Sequence, residues 1–240
     1  MSTKPLLKAL TEAGIGSRRR MAEAIKRGSV EVNGETAESF NHPVNVMKDR
    51  ISFNRQVLNL KPDEIICLAL NKPEGVISTV SDEKGRRTVL DVLPPRYRKL
   101  RLYPAGRLDS NTIGLLLLTN DGDLTYRLTH PRFEHEKEYL VYIRGSLKQD
   151  EIKHLGQGIL LEDGMTHPAL VKADSSSPPF NYSITIHEGR KRQVRRMFEK
   201  FKHPVLALKR VRIGRLNLGS IKEGEVRRLN AREIKTLLEG

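Results

Sequence analysis

The run Leu115 to Leu118 is four consecutive leucines between two polar loops, and it limits the fold more than any other stretch. Gly106-Arg107-Leu108-Asp109-Ser110-Asn111-Thr112 leads into it, and Asn120-Asp121-Gly122-Asp123 closes it. A short apolar run bounded by turn residues reads as a buried strand. Asp109 is thereby presented on a polar loop at the edge of a sheet core, with Arg107 two positions before it. Loops held by rigid elements are where chemistry concentrates. On local pattern alone, Asp109 also fits an Asx turn, or a helix cap near Ser110.

The chain before this stretch divides in two. A first helix should begin near Pro5 under Ser2 or Thr3, with Leu6, Leu7, Leu10 and Ala13 as its apolar face. Gly14-Ile15-Gly16 stops it. Ser17 then caps a second helix that runs to about Arg27, with Gly28 as the stop. Val30 to Glu35 contains an Asn-Gly hairpin signal, and Arg50 to Phe53 reads as another strand. Lys61-Pro62-Asp63 reads as a linker, so the expected domains are residues 1–62 and 63–240. Beyond the linker, strands are expected at Ile65–Leu70, Val76–Thr79, Leu100–Tyr103, Gly114–Thr119, Glu138–Arg144, Ala169–Ala173, Tyr182–His187 and Val205–Ile213. Helices are expected near Thr88–Leu93, Asp123–Thr129, Lys148–Leu155, Arg190–Phe201 and Ala231–Leu238. The last has Asn230 and Glu233 spaced as a capping box. The pattern is that of an α+β protein: a small αα-β domain, then a domain with a largely antiparallel mixed sheet and flanking helices.

The formal net charge is +14 over 240 residues, and each half is positive, so both can touch a polyanion. Without a basic amphipathic helix bearing an aromatic face, nucleic acid is the expected partner rather than a membrane. The single cysteine, Cys67, rules out an intramolecular disulfide and a cysteine-based zinc site. No apolar run reaches the roughly 18 residues of a membrane span. Met1 to Gly16 lacks the features of a signal peptide. A cytoplasmic protein is expected.

Two further stretches carry chemistry. In Glu188-Gly189-Arg190-Lys191-Arg192-Gln193-Val194-Arg195-Arg196-Met197-Phe198, the residues Val194, Met197, Phe198 and Phe201 share one helical face. Arg195 lies at the border of that face. Arg190 comes round to it at the helix start, and Arg192 and Arg196 point away. In Glu138-Tyr139-Leu140-Val141-Tyr142, strand alternation puts Tyr139 and Tyr142 on opposite sides. A carboxylate can serve as nucleophile at a sugar carbon, and a tyrosine offers a face to an extruded base.

Gly106–Leu124, the NKPEGVIS and DEKGRRTVLDVLP segments, KEYLV and HEGRKRQVRRMF together resemble the RsuA/RluB family of ribosomal-RNA pseudouridine synthases, over nearly the whole chain. Residues 3–60 resemble the S-four-like, or alpha-L, RNA-binding module. The resemblance implies catalytic roles for Asp109, Tyr139 and Arg195. Asp109 would act on the ribose, either attacking its carbon or removing a proton. Tyr139 would stack on the target base, and Arg195 would pair with the Asp109 carboxylate, with Arg190 as the competing choice. It implies that Arg107 fills the space left by the extruded uridine, and that neither cofactor nor metal is used. Arg18, Arg19, Arg20, Lys26, Arg27, Arg190, Arg192 and Arg196 are the expected RNA contacts. The expected partner is ribosomal RNA, free or in a pre-ribosomal particle, met by a monomer. The EKGRRTVLDVLP segment is closer to RluB and favours the large-subunit (23S) RNA. The rivals are a non-catalytic ribosome-assembly factor, which would not need Asp109, and an isomerase acting on transfer RNA.

Overall fold

The computed structural model describes residues 3–60, 64–174 and 176–239. The expected Lys61-Pro62-Asp63 linker and the Ser2 cap lie outside the described residues. The chain divides into two compact units, 1–65 and 66–240.

In the first unit, the helices Leu6–Glu12 and Arg18–Lys26 pack on a four-stranded antiparallel sheet. Its strand order is Glu35–Thr36, Val30–Val32, Ile51–Phe53, Gln56–Val57. Leu6, Leu10, Met21, Ile25, Val30 and Ile51 form the core, each at most 1% exposed. The first helix begins directly behind Pro5 with no side-chain cap, whereas Ser17 Oγ does cap the second by accepting from Arg20 N at 3.1 Å. Asn33 and Gly34 both adopt positive φ, 55° and 90°, as the tight turn between the first two strands requires. Met21, Ala24 and Ile25 face inward, so Arg18, Arg19, Arg20, Lys26 and Arg27 stand exposed on the outer side of the same segment.

The second unit is built on a nine-stranded mixed sheet. Its main path runs Leu170–Ala173, Tyr182–Ile186, Lys137–Tyr142, Ala207–Ile213, Ile113–Thr119, Cys67–Lys72, Val226–Arg228. Among the described residues, every pairing in it is antiparallel except the one between Ala207–Ile213 and Ile113–Thr119. The leucine run explains why the sheet is buried on both faces. Leu116 and Leu118 enter a core with Val194, Met197 and Phe198 on one side. Leu115 and Leu117 enter a second core with Leu124, Leu128 and Leu237 on the other. A strand covered on both faces reads as continuously apolar rather than alternating.

Gly114 makes the parallel pairing possible. Its φ is +104°, and a Cβ there would lie 2.2 Å from the Arg210 carbonyl oxygen. The capping box at Asn230 and Glu233 forms as expected and starts the helix Ala231–Leu238.

Three local expectations need correction. Val76–Thr79 is not a strand but a loop with one isolated bridge, Ile77 to Thr88: the Ile77 backbone bonds Arg87 and Val89, the Val76 carbonyl accepts from Lys72, and the Ser78 hydroxyl holds Leu108 of the Asp109 loop. The strand expected at Leu100–Tyr103 forms later, at Tyr103–Ala105. The helix expected over Arg190–Phe201 spans only Gln193–Glu199, because Arg192 sits at left-handed φ 51° and breaks the run ahead of Gln193.

Candidate active site

Asp109 opens a four-residue turn, with Thr112 N donating to the Asp109 carbonyl at 3.1 Å. The turn is pinned from two directions. On one side, Ser78 Oγ donates to the Leu108 carbonyl at 2.8 Å and accepts from Leu108 N at 3.1 Å. Gly75 N donates to the Ser110 carbonyl at 2.9 Å. The NKPEGVIS segment thus serves as the clamp on the aspartate loop.

The clamp includes an unexpected cation. Lys72 is completely buried. Its Nζ donates to the carbonyls of Val76 at 2.7 Å, Pro73 at 2.9 Å and Ser110 at 3.3 Å. Burial holds its pKa down to about 8, against the opposing pull of the Asp109, Glu74 and Glu223 charges. On the other side Arg195, 7% exposed, donates from Nη2 to the Asn111 carbonyl at 2.8 Å and from Nη1 to the Val205 carbonyl at 2.7 Å. The expected direct pair between Arg195 and Asp109 is therefore corrected. Arg195 binds the backbone of the aspartate loop, and Asp109 acts on it through space. Desolvation lowers the Arg195 pKa, Arg192 adds to that effect, and Asp109 opposes it. The Asp109 carboxylate makes no hydrogen bond or ion pair with any described residue, so its oxygens are available to a ligand.

Asp109 lines a cleft of about 800 Å³ together with Arg107, Tyr139, Lys137, Arg190, Arg192 and Arg210. Arg107 is exposed and Asp109 half-buried, as a loop beside open space should be. Tyr139 is 8% exposed and comes from the central strand Lys137–Tyr142. Lys137 lies two positions earlier, on the same face of that strand. Its pKa is held down to about 8 by burial first and by the Arg210 charge second.

Arg190 does not occupy an inward helix position. It precedes the helix, and its Nε donates to Glu188 Oε2 at 2.9 Å. Its Nη1 bonds the carbonyls of Asp163 and Gly164 at 3.1 and 3.0 Å. Arg196 holds Asp163 with two bonds of 2.9 Å. Both guanidinium groups are engaged within the protein. Arg192 remains exposed. In the first unit, Arg27 is ion-paired with Glu23, and Lys26 sits 5.7 Å from the Phe40 ring centre.

Lys72, Lys137 and Arg210 escaped the sequence reading. Strand parity with Tyr139 could have flagged Lys137. Nothing local flags Arg210, since Lys-Arg-Val-Arg reads as a solvated strand. Only the sheet register places Arg210 directly across from Tyr139.

A cleft with an unengaged carboxylate, a tyrosine face and several cations suits chemistry on a nucleotide. Comparisons with known proteins agree. The family model described as RNA pseudouridylate synthase matches residues 66–200. The ribosomal large subunit pseudouridine synthase B of Bacillus subtilis (strain 168) is 41% identical over 97% of this chain and 94% of its own length. The protein of the same name from Vibrio cholerae is 40% identical over 89% of this chain and 67% of its own. A crystal structure of a pseudouridylate synthase, 33% identical, superposes with a TM-score of 0.69 over 98% of this chain and 99% of that one. Sequence, fold and the shape of the cleft converge on one assignment: the chain belongs to the RNA pseudouridylate synthase family.

Proposed function

We propose that this enzyme converts a specific uridine of large-subunit ribosomal RNA into pseudouridine, with Asp109 as the group that acts on the ribose. The observation that carries this reading is the Asp109 carboxylate. Among the described residues it has no hydrogen-bond or ion-pair partner, while the backbone of its loop is clamped by Lys72, Ser78, Gly75 and Arg195. A group held rigidly but left unpaired is prepared for a substrate atom rather than for a structural bond. Tyr139 supplies the face on which the target uracil stacks, and Arg107 occupies the space the uridine leaves in its RNA helix. The choice of ribosomal RNA rests on the names of the relatives from Bacillus subtilis and Vibrio cholerae.

The N-terminal unit is proposed as an RNA-binding module that docks through Arg18, Arg19 and Arg20. The acting form is proposed as a monomer. The chemistry runs on the side chains of the chain itself, without cofactor or metal.

The test is to map pseudouridines in large-subunit RNA from cells with and without the protein. The mapping is repeated in vitro on naked RNA and on assembling particles. One site should disappear in the deletion strain and return on adding protein. An unchanged map of ribosomal RNA with a lost site in transfer RNA would replace this substrate assignment. A full set of modifications without the protein would favour a non-catalytic binding role.

A further inference from the structure

Arg210 is the least explained charge in the second unit. It is 4% exposed, yet among the described residues no carboxylate pairs with it. Its Nε donates to the Leu115 carbonyl at 2.7 Å, beside the close approach at Gly114. Its Nη1 reaches the Tyr139 hydroxyl at 3.5 Å, and its central carbon lies 6.0 Å from the Tyr139 ring centre. Its Nη2 is buried with no hydrogen-bond partner. An orphaned buried donor costs roughly 1–3 kcal/mol, and more when charged. One short hydrogen bond to a strand carbonyl and one long one to a phenol do not account for retaining a whole guanidinium at that cost. Arg210 also lines the cleft, and Lys137 from the neighbouring strand crowds the same end of it. Two cations packed together in a partly dry site are relieved by an arriving anion.

We propose that Arg210 contacts the target uracil through its guanidinium, donates to one of the carbonyl oxygens of the base, and stabilises the negative charge on it once it has left the ribose. The inference rests on the cleft being the uridine site. In the isomerisation the N1–C1′ bond breaks and its electron pair stays with the base. The resulting uracil anion shares its charge between N1 and the carbonyl oxygens. The C5–C1′ bond then forms, the proton on C5 is lost, and N1 takes up a proton, so atoms and electrons balance. Arg210 matters most while the base is detached, because only then does a full negative charge face its donor. Nη1 of the same guanidinium is already at the Tyr139 hydroxyl, which places the group beside a base stacked on that ring.

The experiment compares wild type with Arg210→Lys and Arg210→Gln in single turnovers. The probe is the ribosomal RNA segment that the wild type modifies, made with uridine or with 5-fluorouridine, and the readout is loss of the N-glycoside. Fluorine withdraws electrons and makes the base a better leaving group that needs less cationic help. On uridine, Arg210→Gln should be slower by about 10²–10³-fold, the usual cost of one donor to a developing anion. Arg210→Lys should fall between Arg210→Gln and wild type. On 5-fluorouridine both deficits should shrink at least tenfold, with RNA affinity within a few-fold throughout. Equal deficits on both RNAs, or no deficit on uridine, would overturn the proposal. Failure of both variants to fold would assign Arg210 to the scaffold and overturn it as well. A wild type that makes no pseudouridine in any RNA would remove the uridine-site reading, and this inference with it.

Discussion

Arg195 Nη2 donates a 2.8 Å hydrogen bond to the carbonyl of Asn111, two residues beyond Asp109, while Nη1 holds the Val205 carbonyl at 2.7 Å. One guanidinium thus ties the aspartate loop to the segment that enters the neighbouring strand. A lysine keeps the charge but cannot span two carbonyls in a fixed plane. Arg195→Lys should therefore keep RNA affinity and lose about 10²-fold in single-turnover rate, the scale of a small misplacement of a reacting group. Arg190→Lys should keep its chemical rate within a few-fold and lower the melting temperature, because Arg190 bonds the Asp163–Gly164 backbone. If Arg190→Lys is the slower enzyme, the roles are reversed.

Asp109→Asn should abolish isomerisation and leave RNA affinity within a few-fold. The amide is nearly isosteric but is a poor nucleophile and a poor base. The clamp acts on the loop backbone and is untouched by the change. Turnover above about a hundredth of wild type would contradict a covalent or proton-transfer role for this carboxylate.

Lys72 should shape the dependence of stability on pH. Its folded pKa is about 8, below the ordinary lysine value of 10.5, with burial as the main cause. Between those values the unfolded chain binds more protons than the folded one, so this group makes stability rise with pH across that window. Below it, the cost of a buried charge is present in full. Cys67, pushed up to about 12 by burial, works in the opposite direction above pH 9. The informative quantity is thus the difference between wild type and Lys72→Met in denaturant unfolding. That difference should move in favour of wild type by about 2 kcal/mol from pH 7 to pH 9.5. Parallel pH curves would show that Lys72 titrates normally in the folded state.

Gly114→Ala should be among the most destabilising single changes in the second unit. The new Cβ would meet the Arg210 carbonyl oxygen at 2.2 Å and the Arg210 nitrogen at 2.7 Å, at a φ of +104°. Both of these atoms are backbone in a central strand, so neither can swing aside. A loss of at least about 3 kcal/mol is expected, measured as a fall in denaturation midpoint or as insoluble expression. A near-normal midpoint would mean that the parallel pair is looser than this geometry.

Replacing Arg18, Arg19 and Arg20 together by alanine should weaken RNA binding and lower its log–log salt slope by about 2, at roughly 0.7–0.9 for each phosphate no longer neutralised. These side chains are exposed and lie outside the core of their unit, so the melting temperature should hold. An unchanged salt slope would remove the helix Arg18–Lys26 from the RNA interface.

The amino-acid order alone determined the strong local features. The leucine run, with turn residues at both ends, could only be a buried strand, so the Asp109 loop at its mouth was legible. Ser17, Asn33-Gly34 and the Asn230–Glu233 spacing each marked a boundary whose cause is local. What tertiary structure decided were the long-range partners. Gln193–Glu199 is shorter than its apolar pattern because Arg192 leaves the helical region and Arg190 is drawn to Asp163 and Glu188. Val76–Thr79 has a strand-like composition, yet Gly75 and Ser78 are spent on the aspartate loop. Lys72 ends its strand and Arg210 lies within one, and neither segment marks its cation as unusual. Their burial, their carbonyl partners and the orphaned Nη2 exist only once sheet register brings strands far apart in sequence side by side. Local pattern measures the preferences of a few neighbouring residues, whereas the field and hydrogen-bonding capacity inside a cleft are set by groups that only the folded sheet assembles.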